Sequence, residues 1–418
     1  MKTLLILGAG TAGTIMANKM ARNLSAREWR IEIVDENPVH YYQPGFLFMP
    51  FGVYTERDVV RPKQRYLSPK VNLRIASVDS IDGDASVVNL TDGAKIEYHH
   101  LIIATGTTPR PSETEGMEGD DWRRDVHEFY TFEGSSLLAR RLKDWKGGNL
   151  VINVAEMPIK CPVAPLEFAF LADWWLSERG LRGKTEITYV TPLSGAFTKP
   201  VATERLQHML EDRGIKVVTD FAIGSVESDS KRIVSWDERS VDYDLLVAVP
   251  TNMGADAIER SGLGDELNFV PTNKETLQSL AYENIFVIGD ATDLPASKAG
   301  SVAHFEAEIL EENLLSAIAG KPLEARFDGH SNCFVETGYG KGMLIDFNYE
   351  IEPLPGLFPL AKIGPMPLLK ESRLNHWAKL MFRHIYWHML LPARPMGMPS
   401  RMSLAGKRTE LLPNYGVA

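Results

Sequence analysis

The first 35 residues constrain the fold more than any other stretch of this chain. Residues 4–7 are apolar and strand-like, and they run into Gly8-Ala9-Gly10-Thr11-Ala12-Gly13. A helix is predicted over residues 14–22, then a second strand over residues 31–34 that ends at Asp35. Strand, glycine turn, helix, strand and acid, in that order, make a dinucleotide-binding unit. Gly8 permits the tight turn, Gly10 lets the backbone approach a pyrophosphate, and Gly13 lets helix and strand pack closely. Amides at the helix start stabilise the anion. Asp35, 22 residues after Gly13, is placed to bond the adenosine ribose.

A second unit of this kind opens at residue 147. Gly147-Gly148 is a turn, residues 149–155 are apolar and β-rich, and helical spacing begins at Ala164. The turn between them should be rich in glycine, yet it reads Glu156-Met157-Pro158-Ile159-Lys160-Cys161-Pro162. The prolines remove amide donors, and Glu156 repels a phosphate. The next strand, residues 186–190, ends in Thr191-Pro192, with no acid or base to hold a ribose or its phosphate. Both halves of a nicotinamide-nucleotide site are missing. One of only two cysteines in the chain stands in place of the phosphate loop.

Two further strand ends follow the same logic. Residues 98–105 end in Ala104-Thr105-Gly106, and residues 284–288 end in Gly289-Asp290. Ser297-Lys298-Ala299-Gly300 then leads into a helix predicted over residues 304–319. The expected fold is α/β, with two Rossmann-like dinucleotide-binding domains, the second inserted in the first. Residues 1–110 and 255–325 form the first, and residues 111–254 form the second, which carries Cys161. Residues 326–418 form a C-terminal region. At 418 residues the chain is long enough for two or three domains.

Charge narrows the partners. The net charge of −10 argues against general nucleic-acid binding. Residues 361–418 nevertheless carry nine Lys or Arg against two acids, so a basic tail follows a strongly acidic body. Within it, Leu374, Trp377, Leu380, Met381, His384, Ile385 and His388 recur at three- and four-residue spacing beside Arg373, Lys379 and Arg383. A basic amphipathic helix with Trp and Met suits a membrane surface. No segment reaches the roughly 18 apolar residues of a spanning helix. Residues 1–7 read as a strand, and no secretory signal is evident. A peripheral membrane location is therefore expected. His376, His384 and His388 have no accompanying acid or cysteine, and no metal centre is expected.

The N-terminal fingerprint with its later ATG and GD strand ends resembles the flavin-binding domain of the pyridine nucleotide–disulfide oxidoreductase superfamily. That resemblance implies FAD, with Asp290 on the ribityl chain or pyrophosphate. Thr105, Gly106, Gly289, Lys298 and Gly300 are the neighbouring cofactor residues. The segment Tyr41 to Gly52, Cys161 six residues before Glu167, Cys333 in Ser331-Asn332-Cys333-Phe334-Val335, and the late stretch Arg373 to Trp387 extend it. Together they resemble sulfide:quinone oxidoreductase over nearly the whole chain. The family implies a redox bridge between Cys161 and Cys333 beside the flavin, with Glu167 as the base. Lys160 is a candidate to depress the Cys161 thiol. Pro44 joins the cofactor residues, and Phe334, Lys379 and Phe382 line a quinone pocket. Sulfide, a membrane quinone and a homo-oligomer are implied as partners.

One departure stands out. Many family members carry a third cysteine between the two domains, and here Tyr130 occupies that region. Two other functions stay open: a type II NADH:quinone oxidoreductase, and a non-catalytic flavin-binding or sulfur-carrier protein. Removal of residues from about 371 onward is expected to abolish membrane binding and quinone reduction while sparing flavin reduction by sulfide.

Overall fold

The computed structural model describes residues 1–359 and 364–414. It is built on two five-stranded parallel sheets. The first runs Ile285–Val287, His100–Ile103, Lys2–Leu7, Trp29–Asp35, Val71–Ile75 across the sheet. Leu4, Leu5, Ile6 and Leu7 are fully buried, as expected of a parallel strand covered on both faces. The second sheet runs Val126–His127, Leu245–Val249, Gly148–Val154, Thr185–Val190, Lys216–Val218. A small antiparallel sheet follows the edge strand of each: Val78–Asp82 to Lys95–Glu97 in one case, Ile223–Glu227 to Ser240–Asp242 in the other. The chain leaves the first sheet through Thr108–Arg110 and returns through Thr251–Met253, and these two segments pair antiparallel.

Two helices start earlier than their spacing suggests. The first spans Thr11–Asn23, with Gly10 as its N-cap, so its first free amides belong to the glycine turn itself. The other spans Gly300–Ile318. Helix Ala164–Glu178 follows the cysteine-bearing turn and is buried almost all round, with Phe168, Phe170 and Trp175 in the core. A helix of that kind is held by packing on every side.

A third sheet contains Ser331–Gly338, Lys341–Phe347, Met366–Leu368 and Gly356–Phe358. The tail helix, Arg373–Ile385, packs against it and continues as a π-helical turn, Tyr386–Leu390. Ser372 caps the helix, its Oγ accepting from Asn375 N at 3.0 Å. The predicted apolar face divides in two. Leu380 packs onto the core, whereas Leu374, Trp377 and Met381 are 42%, 62% and 54% exposed and form a stripe that continues to exposed His384 and His388.

Candidate functional site

The glycine turn is shaped partly by the chain's own packing and partly by what it leaves open. A Cβ on Gly8, whose φ is +94°, would lie 2.4 Å from Ala104 O, and one on Gly13 would lie 1.9 Å from Gly8 O. A Cβ on Gly10 would meet nothing within 4 Å. Gly8 and Gly13 are thus required by close packing, and the backbone at Gly10 is free to receive a ligand. Asp35 steadies the turn: Ala9 N donates to its Oδ2 at 2.7 Å, and Lys63 pairs with its other oxygen.

Two of the remaining predicted cofactor residues lie against the turn: a Cβ on Gly289 would come 3.1 Å from Ala12, and one on Gly300 would come 3.9 Å from Thr11. Thr105 Oγ1 is buried and has no partner among the described residues. Gly106 and Gly289 have φ of +69° and +70°. Gly289 N donates to Glu306 Oε2 at 2.7 Å, and burial raises the Glu306 carboxyl to about 8. Burial likewise raises the Asp290 carboxyl, against the pull of Lys298 and Lys160. The Lys298 ammonium donates to Asp290 O at 3.1 Å and Thr292 O at 2.6 Å and lies over the Phe269 ring, so it braces the loop. Pro44 lies in a 3-10 turn over Gln43–Gly45. An open Gly10 backbone, an orphan hydroxyl and a cradle of glycines suit a dinucleotide with a phosphate bridge.

The glycine-free turn of the second sheet bends toward this cradle. Lys160 makes a parallel bridge with Lys298, and its amide donates to Asn252 Oδ1 at 3.3 Å. The cysteine is thereby drawn onto the segment between Asp290 and Gly300. Cys161 has φ of +85°. That conformation costs an L-residue about 1–3 kcal/mol and persists only where the surroundings over-determine it. Two donors fix its carbonyl: Ala164 N at 2.8 Å and Tyr130 OH at 3.3 Å. Tyr130 therefore stands against Cys161.

Cys333 is buried on the strand Ser331–Gly338, and both cysteines are free thiols. Glu167 and Lys379 close around the residues that follow it. Glu167 Oε1 accepts from Glu336 N at 2.5 Å and from the Lys379 ammonium, which also donates to Phe334 O at 2.8 Å. Glu167 Oε2 is buried with no partner among the described residues. The Lys379 ammonium also lies over the Phe48 ring at 5.6 Å, and Phe382 follows one turn later on the tail helix.

Electrostatics tie these groups into one centre. Burial first, then the Glu167 charge, raises the Cys161 thiol well above its usual range, and Lys379 opposes them. The same causes push Cys333 up to about 12. Burial also raises the Glu167 carboxyl, against Lys379. Lys160 does not play the expected part. Its ammonium faces Thr107 O at 3.5 Å and bears on Asp290, so the cation acting on the cysteines is Lys379.

Several residues here lay outside the sequence reading. Tyr386 OH bonds Thr11 Oγ1 at 2.7 Å in the glycine turn and His40 Nε2 at 2.6 Å. Burial lowers His40 to about 4, so its ring is neutral. Asn18 Nδ2 donates to Leu391 O at 2.8 Å, and Arg22 donates to Pro392 O and Ala393 O. The tail therefore grips the helix that carries the phosphate turn. Only the one-turn spacing of Tyr386 from Phe382 hinted that it faces inward.

Residues 2–152 match the family model for pyridine nucleotide-disulphide oxidoreductases. The chain is 27% identical over 400 residues to the mitochondrial sulfide:quinone oxidoreductase of Dictyostelium discoideum, covering 94% of this chain and 87% of the relative. It is 25% identical over 373 residues to the type II NADH:quinone oxidoreductase of a Staphylococcus aureus strain, covering 82% and 90%. The X-ray structure of the sulfide:quinone oxidoreductase from Aquifex aeolicus matches with a TM-score of 0.77 at 19% identity, covering 95% of this chain and 93% of that one, so the fold is shared. The chain resembles the sulfide:quinone oxidoreductases along nearly its whole length.

Proposed function

We propose that this relative of the sulfide:quinone oxidoreductases is an FAD-dependent enzyme that oxidises sulfide and reduces a membrane quinone. The observation that carries the reading is the cysteine-bearing turn. It occupies the position of a nicotinamide phosphate loop, and its Lys160 bridges to Lys298 beside the flavin cradle. In this reading residues 1–110 and 255–325 hold FAD, residues 111–254 carry Cys161, and residues 326–418 face the quinone and the membrane. Gly8, Gly10, Gly13, Asp35, Pro44, Thr105, Gly106, Gly289, Asp290, Lys298 and Gly300 would hold FAD. Held there, FAD would supply a two-electron carrier between the sulfur centre and the quinone.

The chain's own residues prepare the sulfur. In the oxidised state Cys161 and Cys333 are bridged. Hydrosulfide attacks one sulfur, the bridge breaks, and the product is a persulfide on one cysteine and a thiolate on the other. The proton that hydrogen sulfide gives up to become hydrosulfide goes to Glu167, whose Oε2 is buried with no partner among the described residues and whose carboxyl burial raises. The net reaction is hydrogen sulfide plus quinone to sulfur, carried as persulfide or polysulfide, plus quinol. Phe334, Lys379 and Phe382 form the quinone side, where the lysine stabilises developing negative charge.

The test is anaerobic mixing of the purified holoprotein with sulfide or with NADH while flavin absorbance is followed. Sulfide is expected to bleach one flavin per chain rapidly, and NADH poorly. Rapid, saturable bleaching by NADH would favour the type II NADH:quinone oxidoreductase reading and sink this one.

Membrane attachment belongs to the exposed stripe of the tail helix, Leu374, Trp377 and Met381. Among the described residues no helix is long and apolar enough to cross a membrane. Glu substitutions at Trp377 and Met381 are expected to release the protein from anionic vesicles with FAD content unchanged, measured by flotation and flavin absorbance. Truncation before residue 371 has a different expected outcome from the sequence reading. It removes Lys379 from Glu167, Tyr386 from Thr11 and the Leu391–Ala393 carbonyls from the first helix. The truncated chain is expected to lose FAD as well as membrane binding. A truncated protein that keeps one flavin per chain would show that the grip is dispensable.

A further inference from the structure

The C-terminal region builds a cleft that belongs neither to the sulfur centre nor to the flavin cradle. It has a volume of about 830 Å³, within the range of ligand clefts. Arg205 of the helix Pro200–Asp212 lines one side, and the edge of the third sheet with residues 406–408 lines the other. Backbone contacts fix the walls. Leu357 N donates to Gly406 O at 2.9 Å, and Arg408 N donates to Pro355 O at 2.9 Å. A Cβ on Gly356 would lie 2.2 Å from Gly406 O, so glycine is what lets these two segments meet. The charges then sort by burial. The Lys407 ammonium turns inward to Asp346, and both side chains are only 1% exposed. Arg205, Lys370 and Arg408 stay exposed at the cleft. Glu371 is held by Arg213 at 3.1 Å, and Glu410 pairs with Arg408 at 2.9 Å. Arg205 and Lys370 are left without an ion-pair partner among the described residues. Between the cations the lining is apolar, with Pro355, Leu357, Pro367 and Leu369.

We propose that this cleft seats one anionic phospholipid of the membrane surface, with its phosphate among Arg205, Lys370 and Arg408 and the start of its acyl chains on the apolar lining. The inference rests on the membrane reading of the tail given above. A lipid fits better than a soluble anion because the cleft has two kinds of wall. A free phosphate is recognised by the cations alone, whereas a phospholipid matches the cations and the apolar surface together. The cleft is also continuous along the chain with exposed apolar residues. Leu374, 42% exposed, follows Lys370 by four positions, and Leu404, 38% exposed, precedes Gly406 by two. The charge is complementary as well, since residues 361–418 carry nine Lys or Arg against two acids. Basic residues next to a bilayer favour its anionic lipids. The apolar stripe of Leu374, Trp377 and Met381 has no means of telling one headgroup from another. The cleft supplies that preference.

Calorimetric titration of the holoprotein with dihexanoyl-phosphatidylglycerol, kept below its micelle concentration, reads the cleft without a bilayer. Saturable binding of one lipid per chain is expected, with dihexanoyl-phosphatidylcholine and glycerol 3-phosphate bound much more weakly. Arg205→Gln and Lys370→Gln are each expected to weaken binding by about fivefold, the effect of one basic residue at an anionic surface. Lys95→Gln removes the same charge from the small antiparallel sheet Val78–Asp82 to Lys95–Glu97 and is expected to leave binding unchanged. FAD content stays at the wild-type value in all three variants. Equal affinity for glycerol 3-phosphate would make the cleft a soluble-anion site and overturn the proposal. Equal affinity for phosphatidylcholine, or unchanged binding in both Arg205→Gln and Lys370→Gln, overturns it too. Vesicle flotation tests the membrane reading separately. Wild-type protein that floats as well with phosphatidylcholine as with vesicles containing phosphatidylglycerol keeps that reading and overturns the cleft, and protein that floats with neither overturns both.

Discussion

Serine at Cys161 or at Cys333 is expected to stop sulfide-driven bleaching of the flavin, with FAD content and fold retained. The expected loss is on the order of 10⁴- to 10⁶-fold, as for groups that act as one unit. The two losses should not add, because either change removes the bridge that hydrosulfide attacks. Serine is nearly isosteric with cysteine. At Cys161 the backbone is already held at positive φ by the bonds to its carbonyl, which the substitution leaves in place. At buried Cys333 the new hydroxyl must find a partner, which costs at most about 1–3 kcal/mol. Stopped-flow mixing with sulfide, beside a flavin count per chain, measures both. Normal sulfide:quinone turnover in Cys161→Ser would return the cysteine to the status of a packing residue.

Glu167→Gln should slow sulfide-driven flavin reduction by about 10²- to 10⁴-fold, the range for a lost general base. Glutamine can still accept from the Glu336 amide, so the strand contact survives. Lys379→Met acts differently. It leaves a buried carboxylate without its cation, which costs about 3–5 kcal/mol, and the Glu167 carboxyl rises further. The double variant should therefore be more stable than Lys379→Met alone. The pH dependence follows from burial, which raises Glu167 above its ordinary value of 4.5 in the folded state. The native protein then binds more protons than the unfolded chain above that value. Stability contributed by this group is present at low pH and is lost as pH rises through the raised value. Sulfide reactivity moves the opposite way over that window, because only the deprotonated carboxyl accepts a proton. Glu167→Gln should flatten both trends, and thermal melts and stopped-flow rates across pH check them. A rate-versus-pH profile unchanged by the substitution would remove Glu167 from the chemistry.

How much of this was legible beforehand depends on the distance over which each constraint acts. The glycine turn, its acid and the ATG and GD strand ends are local backbone requirements, set by which residues tolerate a tight turn or a close approach. They can be read from a few adjacent letters. So can the empty phosphate loop, since proline and glutamate cannot form a nest of amides. The pairing of Glu167 with Lys379 spans 212 residues, and the bond from Thr11 to Tyr386 spans 375. Neither has a local signature, because a charged residue on a helix looks the same in sequence whether it meets water or a buried partner. That distinction shows in three lysines: the Lys160 ammonium faces the Thr107 carbonyl, Lys298 donates to carbonyls of its own loop, and Lys379 meets buried Glu167. The order of residues alone requires a dinucleotide cradle and replaces a second one with a cysteine turn. Packing across the chain made the tail part of both, because only burial turns scattered charges into a shared, low-dielectric site.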